Sequence, residues 1–281
     1  MEMKIPDELK VQAPQTFWGK VLTATPVVMT VIATLLAGLA SSEMTRAQYS
    51  RALAAQQQSK TGDQWNFYQA KRLHSALQLS TRDELEAAGE VHPLEPAMAE
   101  SFAVPAPPAV TRMSAPVRAA AGALQSGRPD SEVVALAAKL EDSELEEALR
   151  AAQARADAFS AELHPVDQKI GQIEKESLGR HNRRDFIAAR LEYAAQRYEA
   201  EARLNQNIAY LYELEVRKSN FTAERHERRS QRFFLGMLAA QAAVIIATLA
   251  LAAKQRSLLW GLAAAAGLAA VGFAIYVYLF T

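Results

Sequence analysis

Residues 63–74 read DQWNFYQAKRLH, and Trp65, Phe67 and Tyr68 fall within four positions of one another. Gln69, Lys71, Arg72 and His74 follow directly. Rings next to cations allow stacking and cation–π contacts, which serve either a ligand cage or the docking of one helix on another. At i, i+3 and i, i+4 spacing Trp65, Tyr68 and Arg72 share one side of a helix. Ring stacking and a Tyr68–Arg72 cation–π contact are expected there, with Phe67 on a different face. The docking reading is the stronger one, either against a long helix of 183–232 or against a neighbouring subunit. Its candidate residues are Trp65, Phe67, Tyr68, Gln69, Lys71 and Arg72.

Local signals say which elements hold this cluster. "TGD" at 61–63 reads as a helix boundary, with Gly62 suited to a left-handed C-terminal cap and Asp63 to an N-cap, so a helix is expected to begin at Gln64. "TRDE" places Thr81 and Glu84 at capping-box spacing and predicts a second start.

Other chemistry is sparse. The chain has no cysteine, which excludes disulfides, cysteine-ligated zinc and thiol catalysis. Its five histidines (His74, His92, His164, His181, His226) lack metal-ligand spacing and read as surface residues. No glycine-rich phosphate loop, Ser-His-Asp arrangement or HExxH motif occurs. No catalytic residue, metal site or cofactor is expected, and the formal net charge of zero gives no general attraction to nucleic acid.

Three uncharged stretches set the class: 21–41, 233–253 and 257–280. About 20 apolar residues at about 1.5 Å each cross a hydrocarbon core, so three transmembrane helices are predicted. "KQR" alone separates the last two, which predicts a tight antiparallel hairpin. Trp18 and Lys20 before the first span, and Trp260, Tyr276 and Tyr278 in the last, are placed as interface anchors. The leader before residue 21 is long and carries Glu2, Asp7 and Glu8, unlike a short basic signal region, so the first span is expected to be retained.

The spans hold no Asp, Glu, Lys, Arg or His, so the usual mark of an ion or proton path is missing. Thr23, Thr30 and Thr34 fall roughly on one face, where they bond to carbonyls of their own helix or, in an oligomer, line a pore. Gln241 offers a carboxamide to a neighbouring helix. Span packing draws on Thr30, Thr34 and Gln241. Gly261, Ala265 and Ala269 repeat every four positions, as do Thr34 and Gly38, spacing that lets helix backbones approach. These seven residues are the candidate span-packing set. "RHERRSQR" puts Arg225, Arg228, Arg229 and Arg232 before the second span, where they act as topology determinants or bind anionic lipid headgroups. With Arg46 and Arg51 they favour a cytoplasmic central domain, against Lys4, Lys10, Lys20, Lys254 and Arg256 on the opposite side.

Between the spans nearly everything reads as helix. Residues 1–20 form a tail and 42–91 a helical segment bearing the aromatic cluster. Residues 92–130 hold seven of the eleven prolines and read as an extended Pro/Ala-rich linker. Residues 131–232 read as coiled coil, with one helix over 131–163 and a new short helix opened by Pro165. Gly179 can end that helix and Asn182 can cap the next. Ile187, Leu191, Ala194 and Tyr198, then Leu204, Ile208, Leu211 and Glu215, keep coiled-coil steps with one break between Tyr198 and Leu204. A helix from about Arg183 to near Ala253 is predicted, whose soluble part would extend some 70 Å.

The stretch Asp63-Gln64-Trp65-(Asn66)-Phe67-Tyr68-Gln69-Ala70-Lys71 following a first span resembles the bacterial domain-of-unknown-function family 4337. "FFLGMLAAQAAVIIATLALAAKQRSLLWGL" is similar to that family's span, short basic turn and Leu-Trp start, which extends the likeness to Gln241 and Trp260. The likeness covers roughly 15–80 and 205–281, with 90–165 resembling an insertion. It implies a bacterial membrane protein without an assigned activity.

The expected fold is thus an all-α membrane protein, with three transmembrane helices and a long helical, coiled-coil domain between the first and second. The expected role is non-enzymatic: assembly as a homo-oligomer, or as a structural subunit beside partner membrane proteins, in contact with membrane lipids. A channel or motor-stator-like subunit is the first alternative, since the energisers of TonB-type systems share the order of one span, a helical region and two spans. A membrane-organising lipid-binding scaffold built on Arg225–Arg232 is the second. The expected location is the bacterial inner membrane.

Overall fold

A computed structural model describes residues 17–108, 113–176, 183–252 and 256–280. The described residues form helices and their connections, in the order α1 (Phe17–Ala87), α2 (Pro96–Ala99), a 3-10 turn (Glu100–Phe102), α3 (Ala115–Gln125), α4 (Asp130–Ala137), α5 (Asp142–Glu176), α6 (Arg183–Ala252) and α7 (Arg256–Phe280). They divide into two compact units, Met1–Ser50 with Thr222–Thr281, and Arg51–Phe221. Gly179 and Asn182 lie outside the described residues, as do the side chains of Trp18, Trp260 and Tyr278 and of Lys4, Lys10, Lys254 and Arg256.

The first unit is built from the early part of α1, the late part of α6, and α7. Ala33, Leu36 and Ala40 of α1 bury against Phe233 and Ala240 of α6 and Ala270 and Val277 of α7. One glycine sits at a close approach: a Cβ on Gly267 would lie 2.5 Å from Met29 Sδ, whereas one on Gly236 would meet Leu36 Cδ1 at an ordinary 3.4 Å. Large side chains point outward, among them Val27, Val31, Leu35, Phe234, Leu235, Ile245, Leu249, Leu268 and Ile275. Two helices, Thr23–Ala87 and Arg183–Ala250, are long and apolar enough to cross a membrane. Within this chain only 17% of the apolar window of the first is buried and 33% of the second. The apolar part of α7 described in full is shorter, Gly261–Val277.

In the second unit α1 and α6 pair antiparallel, because contacts move from Ser75–Ala195 to Trp65–Tyr210 to Gln57–Ser219. Around them, α3, α4 and the first half of α5 close on α6 through Val117, Ala120, Val133, Leu140, Leu145, Leu211 and Leu214. The second half of α5 closes through Phe159, Leu163 and Ile170 on Phe186, Tyr193 and Leu204. The acids that open α4 and α5 also face cations of α6: Asp130 pairs with Arg217, and Asp142 lies 2.5 Å from Lys218. A negative charge there also suits the positive end of the helix dipole.

Three expected boundaries are absent. α1 runs through 61–64 and through 81–84 without a break. Thr61 and Thr81 are not caps, since their hydroxyls donate to the carbonyls of Gln57 and Leu77 four residues back. Gly62 is not left-handed; among the described residues only Gly127 has positive φ, 64°. There it closes α3, with Arg128 N–H donating to Ala123 O as in a Schellman turn. Pro165 opens no new helix and lies inside α5.

One unexpected boundary divides the predicted helix over 131–163. α4 stops at Ala137 and α5 starts at Asp142. The Glu144 carboxylate accepts from Glu141 N–H at 3.4 Å, the backward half of a capping box, while Leu140 is buried between the two helices.

In its described residues the segment 92–130 is not the one extended linker its prolines predict, but carries helical turns and buried side chains. Pro96 sits in the first turn of α2, and α3 has proline in its first turn and Ser114 as N-cap, positions where the missing N–H costs nothing. Phe102 is buried edge-on against Phe186 with centroids 5.4 Å apart, and Leu94, Met98 and Val104 join the same cluster.

Candidate interaction sites

The aromatic cluster lies on α1 within the second unit and is divided by the helix into two faces. Trp65, Tyr68 and Lys71 are half-buried, while Phe67, Gln69 and Arg72 are exposed, Phe67 at 55%. Trp65 meets Tyr68 edge-on at 5.4 Å and Tyr210 of α6 edge-on at 5.3 Å. Each edge places ring hydrogens on a π face, the favoured aromatic geometry. The expected Tyr68–Arg72 cation–π contact is replaced by a hydrogen bond, Arg72 Nη1 donating to the Tyr68 hydroxyl at 3.3 Å.

Lys71 begins an ionic chain across three helices. It pairs with Glu201 while standing 5.1 Å over the Tyr198 ring. Glu201 also takes Arg197 Nε at 2.9 Å, and Arg197 reaches Asp167 of α5 at 2.8 Å. Tyr193 donates to the other Asp167 oxygen at 3.0 Å. Burial, reinforced by that carboxylate, pushes the Tyr193 hydroxyl well above the usual phenol range. These groups satisfy one another, so the chain fixes α1, α5 and α6 in register. Further along, Ser75 donates to Ala195 O at 2.9 Å and Arg82 pairs with Glu192. A sequence search for aromatic spacing finds Trp65 and Tyr68 but not Ser75 or Arg82, which carry no apolar signal.

In the first unit the arginine cluster is uneven. Arg225 and Arg228 are exposed, and Arg228 lies 3.4 Å from Glu224. Arg229 and Arg232 are half-buried, and Arg229 Nε is buried without a hydrogen-bond partner among the described groups. Beside them lies a pair that sequence reasoning missed. His226 Nδ1 is 2.6 Å from Glu43 Oε2, with side-chain exposures of 19% and 11%. His226 is therefore no surface residue. Ser230 donates to Ala40 O at 2.7 Å one turn on.

Gly38, Gly261, Ala265 and Ala269 are exposed, so the stripe read from their spacing does not pack within this chain. The packed stripe of α7 is Ala263, Gly267, Ala270, Ala274 and Val277, alternating steps of four and three around a different side. Thr30, Thr34 and Gln241 are also exposed and line one groove of about 470 Å³ with Ala33, Ala37, Val244 and Ile245. The threonine hydroxyls donate to carbonyls of their own helix, Thr30 to Pro26 O at 2.8 Å and Thr34 to Thr30 O at 2.9 Å.

No group of three or more His, Cys, Asp or Glu is arranged to hold a metal among the described residues. In the second unit a cavity of about 830 Å³ opens between α3, α5 and α6, lined by alanines with Arg118, Gln125, Arg155 and Asn207.

Among the described residues the fold is all-helical, with two helices of membrane-crossing length. Residues 18–105 match the family model for a domain of unknown function, DUF4337, the family that the sequence resemblance named. The match contains residues 63–71 and ends at 105, so the likeness read over 205–281 lies outside it, while 90–105 lies within it. No curated protein and no solved structure matches the chain.

Proposed function

We propose that this is a non-enzymatic integral membrane protein of the bacterial inner membrane. It crosses three times, with α7 as the third span, and acts by assembly, as a homo-oligomer or as a structural subunit of a larger membrane complex. The observation that carries the reading is the outward apolar surface of α1, α6 and α7. Val27, Val31 and Leu35 are 65%, 54% and 64% exposed, Ile245 and Leu249 60% and 58%, and Leu268 74%. Such contiguous surface has no stable contact with water and a natural one with lipid.

Residues 42–232 are placed in the cytoplasm, because Arg46, Arg51 and the Arg225–Arg232 cluster border their spans. The absence of cysteine makes a clean test. A single Glu95→Cys variant should resist a membrane-impermeant maleimide in intact cells and react after lysis. Full labelling in intact cells would overturn this topology. Release of the chain by alkaline washing of membranes would overturn membrane insertion.

A further inference from the structure

We infer that the groove formed by Thr30, Thr34 and Gln241 is the contact face for a second copy of this chain, with Gln241 meeting its own counterpart. The inference rests on the membrane-assembly reading above and adds the surface and the partner.

The starting point is an unmatched carboxamide. Gln241 stands near the middle of the apolar stretch of α6 and is exposed, with no hydrogen-bond partner among the described groups. A carboxamide offers two donors and an acceptor oxygen, and in hydrocarbon there is no water to take them. The groove supplies no intrachain donor, because the Thr30 and Thr34 hydrogens are committed to Pro26 O and Thr30 O. Their remaining oxygen lone pairs face the same groove as acceptors. Thr248, seven residues on and so on the same side of α6, is likewise exposed and bonded to Val244 O.

Three points select a second copy as the occupant. A carboxamide is self-complementary, donating and accepting in one planar group. All copies insert in the same direction, so an axis along the membrane normal brings residues of equal depth together and places Gln241 beside Gln241. The flanking side chains Ala33, Ala37 and Val244 are small enough to admit another helix, which polar contacts in membranes require.

The experiment uses full-length, single-cysteine variants in native membranes under mild oxidation. Ile245→Cys lies in the groove, 60% exposed, and Leu235→Cys lies on another exposed side of α6, at 57%. Ile245→Cys should give disulfide-linked dimer at least fivefold more than Leu235→Cys. Adding Gln241→Leu to Ile245→Cys should reduce that yield at least threefold, and Gln241→Asn, which keeps the carboxamide, should restore most of it. Equal cross-linking at 245 and 235, or a yield unchanged by Gln241→Leu, overturns the groove as the interface. If the wild-type chain still extracts as an oligomer, the assembly reading survives that result. A wild-type chain that extracts as a monomer without any partner chain overturns both.

Discussion

At the residue scale, one helix gives neighbouring aromatic residues opposite roles. Trp65 is held between Tyr68 and Tyr210, whereas Phe67 two positions later is mostly exposed. Trp65→Ala should destabilise by about 2 kcal/mol, the lost ring contacts of a half-buried indole, and Phe67→Ala should stay within about 0.5 kcal/mol. Thermal unfolding of the detergent-extracted chain checks this, with a drop of several degrees expected for the first variant alone. Glu215 gives a prediction of the opposite sense. Burial holds its carboxyl above the usual range, a shift to which Glu146 and Asp142 add and which Lys60 and Gln57 oppose. A raised folded-state value means the native chain binds more protons than the unfolded chain over that interval. Stability therefore falls as pH rises from about 4.5, the ordinary carboxyl value, through the raised one. Glu215→Gln should flatten this part of the Tm–pH curve and gain relative to wild type at pH 7, but not at pH 4.

At the element scale, the long helices are held by a seam that hydrophobic pattern reading does not detect. In the second unit the inward positions of α1 are Ala54, Gln57, Thr61, Gln64, Tyr68, Lys71, Ser75, Gln78 and Arg82, in unbroken steps of three and four. Those of α6 are Ala202, Asn205, Ala209, Tyr212, Val216 and Ser219. In the first unit α1 continues the rhythm with Ala33, Leu36, Ala40, Glu43 and Ala47. This is a heptad repeat written largely in small and polar residues, so an apolar count passes over it. The long helix from Arg183 was legible because it lacks proline and keeps its Leu, Ile and Tyr steps. The Trp65–Tyr68 ring contact was legible from spacing, but Lys71 needed Glu201, 130 positions away, to define its partner. The boundaries at 61–64 and 81–84 misled because Thr61 and Thr81 bond inside a helix as readily as at its end. The same logic sorts small residues in the spans. Ala240→Leu, at a position with no exposed area, should overpack and cost about 1–3 kcal/mol. Ala265→Leu, on an exposed face, should leave the Tm of the monomeric unit unchanged. The packing of Phe102 on Phe186 gives the proline-rich segment a test of its own: Phe102→Ala should speed proteolytic cutting within 92–108 severalfold.

For the whole molecule, the account joins apolar surface that excludes water to seams that hold helices together. On the proposed reading, its activity lies in association. That claim is tested most directly by the mass of the complex after gentle extraction from native membranes. The account predicts protein mass above the 30.7 kDa of one chain, either as an integer multiple or with a stoichiometric partner. A uniform species of one chain in detergent and lipid, unchanged as protein concentration is raised, would contradict it.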